Sequence, residues 1–253
     1  EKARAERAAQ RDEPVDAKPV IGDLLDVDEI HIELSKELVP IAMDPEIGFD
    51  QRIEKIRKFI AQEYGFVVPA IRLTDTTVMP VETYRIKIQG AEIARSKLKP
   101  GHVLALMEED AHPEIPGEKV REPVYGASAR WVGKAHQDEL MMHGLPTIEA
   151  PEVMATHVME TIQANFPKLM TRRALREILE AFTHLTNEER GASNKRIIDE
   201  FIPDKVPLEL LQSVLRALLE ERVSIRNLPV ILETVAEVKG TLSSTEQIAE
   251  YVR

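Results

Sequence analysis

Cysteine is absent from the 253 residues. Its absence excludes disulfides, thiolate nucleophiles and thiolate-held zinc or iron–sulfur clusters in one step, and fits a reducing compartment. Aromatic residues are scarce, with one Trp, four Tyr and six Phe, so any core must be built mainly from Leu, Ile and Val. No run of about 18 apolar residues occurs, so nothing reads as a membrane-spanning helix. The first apolar stretch comes after residue 19, so no signal peptide is expected in this stretch. An initiator Met is also missing. The chain opens on Glu1-Lys2-Ala3-Arg4 and reads as a piece of a longer protein. Basic residues number 33 against 44 acidic ones, a net charge of -11, so a nucleic acid or an anionic membrane would repel it.

Catalytic signatures are equally scarce. There is no G-x-G-x-x-G loop, and Gly133-Lys134 lacks the flanking residues of a phosphate-binding loop. There is no H-E-x-x-H, and Gly126-Ala-Ser128-Ala-Arg130 misses the second glycine of a nucleophile elbow. His136 and Glu139 are one helical turn apart, but two ligands do not make a metal site. Four of the seven histidines (His102, His112, His136, His143) fall in residues 101–150 without standard ligand spacing, so no metal or cofactor is expected. A hydrolase using this His-rich stretch is the rival of another class, because such sites assemble from distant positions. His157 reads as a hydrogen-bonded structural histidine. Arg172, Arg173 and Arg176 read as a salt-bridged stripe beside Glu177 and Glu180.

What the sequence does carry is pattern. Residues 1–19 hold five basic and five acidic side chains and one large aliphatic, Val15, which reads as a tether. A short apolar patch follows at Val20, Ile21, Leu24 and Leu25, set either to pack on the domain's own edge or to dock on a neighbouring subunit. Ile30, Ile32 and Leu34 alternate as in a half-buried strand. Asp50 is the expected cap of a helix that buries Ile53, Ile56 and Ile60 and stops at Gly65. Residues 66–73 read as a strand interrupted by Pro69. Tyr84, Ile86 and Ile88 alternate again, with Gln89-Gly90 turning a hairpin into residues 91–94. A buried strand is expected over 102–107, then a loop over 108–126. From about residue 151 the pattern turns helical. Helices are expected over 151–166, after a Thr171 cap, from Pro207, after an Asn227 cap and from the Ser244-Thr-Glu-Gln247 capping box. The fold class is therefore α+β, with small α/β units followed by a helical one.

Residues 52–69 (RIEKIRKFIAQEYGFVVP) resemble the RIRxIRKxxAQExGFVxP signature of the FlhA/FHIPEP family of type III export-gate proteins. The likeness continues in order through residues 84–95, Pro100-Gly101-His102, residues 115–118, Glu122-Pro-Val-Tyr-Gly126, Trp131, Ala155-Thr156-His157, residues 215–222, Ile225-Arg226 and residues 231–234. Leu34-Ser35-Lys36 departs from it, standing where the family usually has a Gly-Tyr pair.

The resemblance implies a non-enzymatic cytoplasmic region at the inner membrane, joined by a linker to a membrane domain. On the family's pattern residues 1–24 are linker and 25–100 with 150–169 the first subdomain. Residues 101–149 are an inserted second subdomain, 170–253 a helical third, and the fourth is absent. It further implies a nonameric ring in the full-length protein, contacts with the export ATPase complex, and docking of export chaperone–substrate complexes. The docking motif is Asp-Pro-x-Phe plus a distant Thr. Here it reads Glu122-Pro123-Val124-Tyr125 with Thr156, 31 residues after Tyr125. Glu122, Tyr125 and Thr156 are the expected chaperone-binding residues, and Val20, Ile21, Leu24 and Leu25 the expected subunit contact. The flagellar branch is expected, with the virulence injectisome (SctV-type) homologue as its nearest rival.

Overall fold

The computed structural model describes residues 27–44, 48–108, 112, 114–242 and 244–253. The tether and the apolar patch at Val20, Ile21, Leu24 and Leu25 lie outside them.

Apolar residues at a spacing of two build the first sheet. Strands β1 (Ile30–Ser35), β2 (Ile71–Thr76), β3 (Thr83–Ile88) and β4 (Ala91–Lys97) stand in the order β2-β1-β3-β4. β1 runs parallel to β2 and antiparallel to β3. The β3–β4 hairpin turns at Gln89 and Gly90, both with positive φ, as a primed two-residue turn requires. Ile30, Ile32, Leu34, Tyr84, Ile86 and Ile88 are buried on one face. On the other, the Glu33 carboxylate pairs with Arg85 and accepts from Lys87 Nζ at 2.7 Å.

Helix α1 (Val39–Ala42) leads to α2 (Phe49–Tyr64), whose Ile53, Ile56 and Ile60 face the core as the spacing required. Asp50 does not cap α2. The helix starts two residues earlier than that cap would set it, at the fully buried Phe49, and Gly48 is the cap. A Cβ on Gly48 would lie 1.9 Å from the Asp44 carbonyl oxygen, so only glycine fits. At the other end Gly65 is left-handed (φ 73°), and a Cβ there would meet the Arg226 backbone at 2.7 Å. Residues 66–70 are not strand. The chain pairs only from Ile71, so Pro69, with no N–H to give, precedes the sheet instead of interrupting it.

Strands β5 (His102–Leu106), β6 (Glu118–Arg121), β7 (Ser128–Gly133) and β8 (Thr147–Glu149) form a second sheet, ordered β6-β7-β5-β8. The expected loop over 108–126 thus contains a strand. Only Val120 of β6 is even half-buried, so its sequence shows no alternation. β5 is buried on both faces. Leu104, with Ala129 and Trp131 of β7, joins the large core. Val103, Ala105 and Val132 join a small second core with Met107, Ile115 and Leu140 of helix α3 (Gln137–Met142). That is why β5 reads as an unbroken apolar run.

Helix α4 (Ala150–Ala164) follows β8 with no intervening residue and packs on α2, β5 and β8. Pro167 does not simply end it. It enters a short helix α5 (Phe166–Leu169) within its first turn, where the missing N–H costs nothing. The helical part continues with α6 (Arg172–Thr183), α7 (Glu188–Phe201), α8 (Leu208–Glu220), α9 (Leu228–Val238) and α10 (Thr245–Val252). Helix α7 has no counterpart among the helices expected from sequence. Gly191 is its one buried residue, so it lacks an apolar stripe. Thr171 caps α6, its Oγ1 accepting from Ala174 N–H at 3.1 Å, and Ser244 does the same for Gln247 at 3.2 Å. Asn227 holds the cap position of α9 without a side-chain bond, and Pro207 stands one residue before α8. Phe166 lies within ring contact of both Tyr64 and Phe66, and Ile225 N–H donates to Tyr64 O at 2.8 Å. The helical part and the first sheet therefore share one core.

Candidate functional site

The turn between β6 and β7 is built by one carboxylate. Glu122 is 9% exposed, and its two oxygens accept from Val124 N–H and Tyr125 N–H, both at 2.8 Å. Its backbone closes the turn, donating to Ala127 O at 2.8 Å and accepting from Gly126 N–H at 3.0 Å. Both Glu122 oxygens thus serve the turn, and the carboxylate that meets the Tyr125 hydroxyl is Glu160 on α4.

Tyr125 is carried outward by this turn and is 77% exposed. Its hydroxyl donates to Glu160 Oε1 at 3.2 Å. The Glu160 charge raises the phenol pKa, because ionising it would place two anions side by side. Glu160 Oε2 meets Arg222 Nη2 at 3.4 Å. Arg222 follows α8 with φ 58°, so the helical part reaches the same spot. Thr156 is half-buried on α4 and stands one turn before Glu160, on the same helix face. The i, i+4 spacing from Thr156 is the signal in the sequence that could have found Glu160. Nothing local in the sequence marks Arg222.

Behind this surface His157 is buried, as its structural reading required. Its Nδ1 lies 2.7 Å from the Tyr84 hydroxyl. Burial lowers the pKa of His157, and the negative charge of Glu122 partly opposes it. Burial also drives the Tyr84 phenol upward, beyond any working pH. The pair is neutral and serves as packing beneath the exposed ring.

The FHIPEP family profile matches residues 1–253. The chain belongs to the FHIPEP family. It is 32% identical over 247 residues to the flagellar biosynthesis protein FlhA of Caulobacter vibrioides, covering 97% of this chain and 34% of that protein. Against the FlhA of Bacillus subtilis the figures are 32% over 250 residues, 98% and 36%. The chain thus spans about a third of the length of these relatives. Among solved structures, the Chlamydia pneumoniae CdsV protein shares the fold at TM-score 0.72 and 22% identity, covering 95% of this chain and 66% of that one. The nonameric EPEC SctV-C structure shares it at TM-score 0.61 and 19% identity, covering 89% and 64%.

In this FHIPEP chain the remaining candidates have partners of their own, apart from the residues around Tyr125. Two arginines of the stripe are paired, Arg172 with Glu209 at 3.2 Å and Arg173 with Glu177 at 3.1 Å. The four histidines of the second sheet do not converge. His102 Nδ1 lies 2.8 Å from the Pro100 carbonyl oxygen and His136 Nδ1 3.1 Å from Glu139. Only His112 and His143 meet, with ring centroids 4.7 Å apart. No helix among the described residues is long and apolar enough to cross a membrane.

Proposed function

We propose that this chain is the cytoplasmic docking platform of a flagellar type III export gate, receiving chaperone–substrate complexes at the surface around Tyr125. The observation that carries the reading is Tyr125 itself, an aromatic ring 77% exposed and held in place by a turn whose carboxylate is otherwise fully engaged. An exposed aromatic anchor beside a charged pair suits a partner's apolar helix or loop. Thr156, Glu160 and Arg222 supply polar contacts around it, while Glu122 acts by positioning. In this reading the chain performs no catalysis. The flagellar branch is favoured over the injectisome branch because relatives near 32% identity are flagellar, whereas the injectisome structures share the fold below 25%.

The same reading divides the chain into a linker (1–24), a first subdomain (25–100 with 150–169), an inserted second (101–149) and a helical third (170–253). It places the ring contact at Val20, Ile21, Leu24 and Leu25, and the whole protein at the cytoplasmic face of the inner membrane with the export ATPase complex as a neighbour. Titration calorimetry with flagellar chaperone–substrate complexes from the same source tests the docking role, with Tyr125→Ala as the paired control. Micromolar binding lost in Tyr125→Ala, with unchanged melting, supports both the role and the site. Binding that Tyr125→Ala leaves intact moves the site elsewhere, and no binding to a folded complex overturns the flagellar reading of this piece.

A further inference from the structure

His112 and Glu114 sit on the turn that leads into β6, and His143 follows the last residue of α3. The fold brings these distant positions together. One ligand atom from each of the three lies within 4.8 Å of the other two. His112 Nδ1 is already 3.0 Å from Glu114 Oε1, and the His112 and His143 rings are tilted 53° to one another.

Both halves of this group are fixed to the same small core. Arg130 is buried, and its Nη1 donates to the carbonyl oxygens of His112 and Ile115, each at 2.8 Å. Ile115 N–H closes the turn on His112 O at 3.1 Å, and the Ile115 side chain is buried in the small core that also holds Leu140 and Val132. On the other side α3 ends in two tight bonds, Gly144 N–H to Met141 O at 2.9 Å and Leu145 N–H to Leu140 O at 3.0 Å. Leu140 belongs to that core as well. The backbones that carry the three side chains are therefore held, while the side chains remain open to solvent.

We propose that His112, Glu114 and His143 bind one divalent cation of the zinc class, with water completing the shell. Two imidazoles and one carboxylate are the donor set that zinc and its late first-row neighbours prefer, whereas magnesium and calcium need more oxygen ligands. Ligands about 2.0–2.2 Å from such an ion stand about 3–3.5 Å from one another. The His112–Glu114 pair meets that spacing, and rotation of the exposed His143 closes the third side. A bound ion would tie the turn before β6 to the end of α3 and would bind only the folded chain, so it would also stabilise it.

The test is titration calorimetry of tag-free protein with zinc chloride, run against magnesium chloride, and an absorption spectrum with cobalt chloride. The expected result is one zinc per chain, no magnesium binding and visible cobalt d–d bands. His143→Ala and Glu114→Gln should each weaken zinc by about tenfold or more. His136→Ala, which removes the partner of Glu139, should leave zinc binding unchanged. Both ligand variants alter exposed side chains, and their melting in chelator should match the wild type. Zinc binding that is absent, spread over several weak sites, or unaffected by His143→Ala would overturn the site.

Discussion

The two sheets are the same size and are held by different means. The first lies against a continuous apolar core shared with α2, α4 and the helical part, and its inward residues repeat at a spacing of two. The second has a core of six residues on its outer face, and polar side chains do much of its fastening. Arg130 ties down one loop and Glu122 ties down another. Where apolar burial is ample, the outer face adds charged pairs such as Glu33 with Arg85 and Lys87 to a core that is already continuous. Where burial is thin, single charged side chains become structural, and the loops they fix are those of the two proposed sites.

The largest test of this contrast is Phe166→Ala. The ring is fully buried between Tyr64 and Phe66 at the point where the helical part meets the first sheet. Its loss should cost about 3–5 kcal/mol in denaturant unfolding. Arg130→Met comes next, removing the donor to the Ile115 carbonyl and leaving the His112 carbonyl with Ile115 N–H alone, for a loss of about 1–3 kcal/mol. Hydrogen exchange should quicken in the second sheet while the first stays protected. Equal quickening in both would erase the distinction drawn here.

Glu33 gives a smaller, pH-dependent effect. Burial pushes its carboxyl up, but the bonds and charges of Lys87 and Arg85 outweigh this and hold it below the ordinary glutamate value of 4.5. A depressed carboxyl stabilises the fold at neutral pH, and that contribution disappears as pH falls through the folded value. The wild type's advantage over Glu33→Gln should therefore shrink below about pH 4.5 and be constant above pH 6. Urea midpoints measured across that range would show it, and a constant difference would refute it. The smallest effect belongs to Tyr125→Phe, which should change stability by no more than about 0.5 kcal/mol because its bond to Glu160 is exposed. A larger loss would mean that the ring is a structural link and not a displayed one.

The same contrast governs what could be read in advance. Ile30, Ile32 and Leu34, the α2 stripe, the Gln89-Gly90 turn and the Thr171 and Ser244 caps are local patterns, and each lies where its pattern put it. β6 and α7 escaped because neither has a periodic apolar face. Asp50 was misread because a chemically good cap lost to the burial of Phe49. At the candidate site, Tyr125 and Thr156 were found through a family likeness and not through local chemistry. Glu160 carried no local signal apart from its spacing from Thr156, since only the folded turn reveals that Glu122 holds the backbone while Glu160 meets the Tyr125 hydroxyl. The meeting of His112 with His143 depends on two loops packing over one core, which no spacing rule records.

β8 ends at Glu149 and α4 begins at Ala150, so one peptide bond separates the second sheet from the long helix that packs on α2. In mechanical terms this is a joint without slack. A pull on the second sheet is not absorbed by a yielding loop there but passes directly along the helix axis. The helix carries Thr156 and Glu160 on one face and ends at Phe166's aromatic cluster, which puts the exposed ring and the helical part on a single lever.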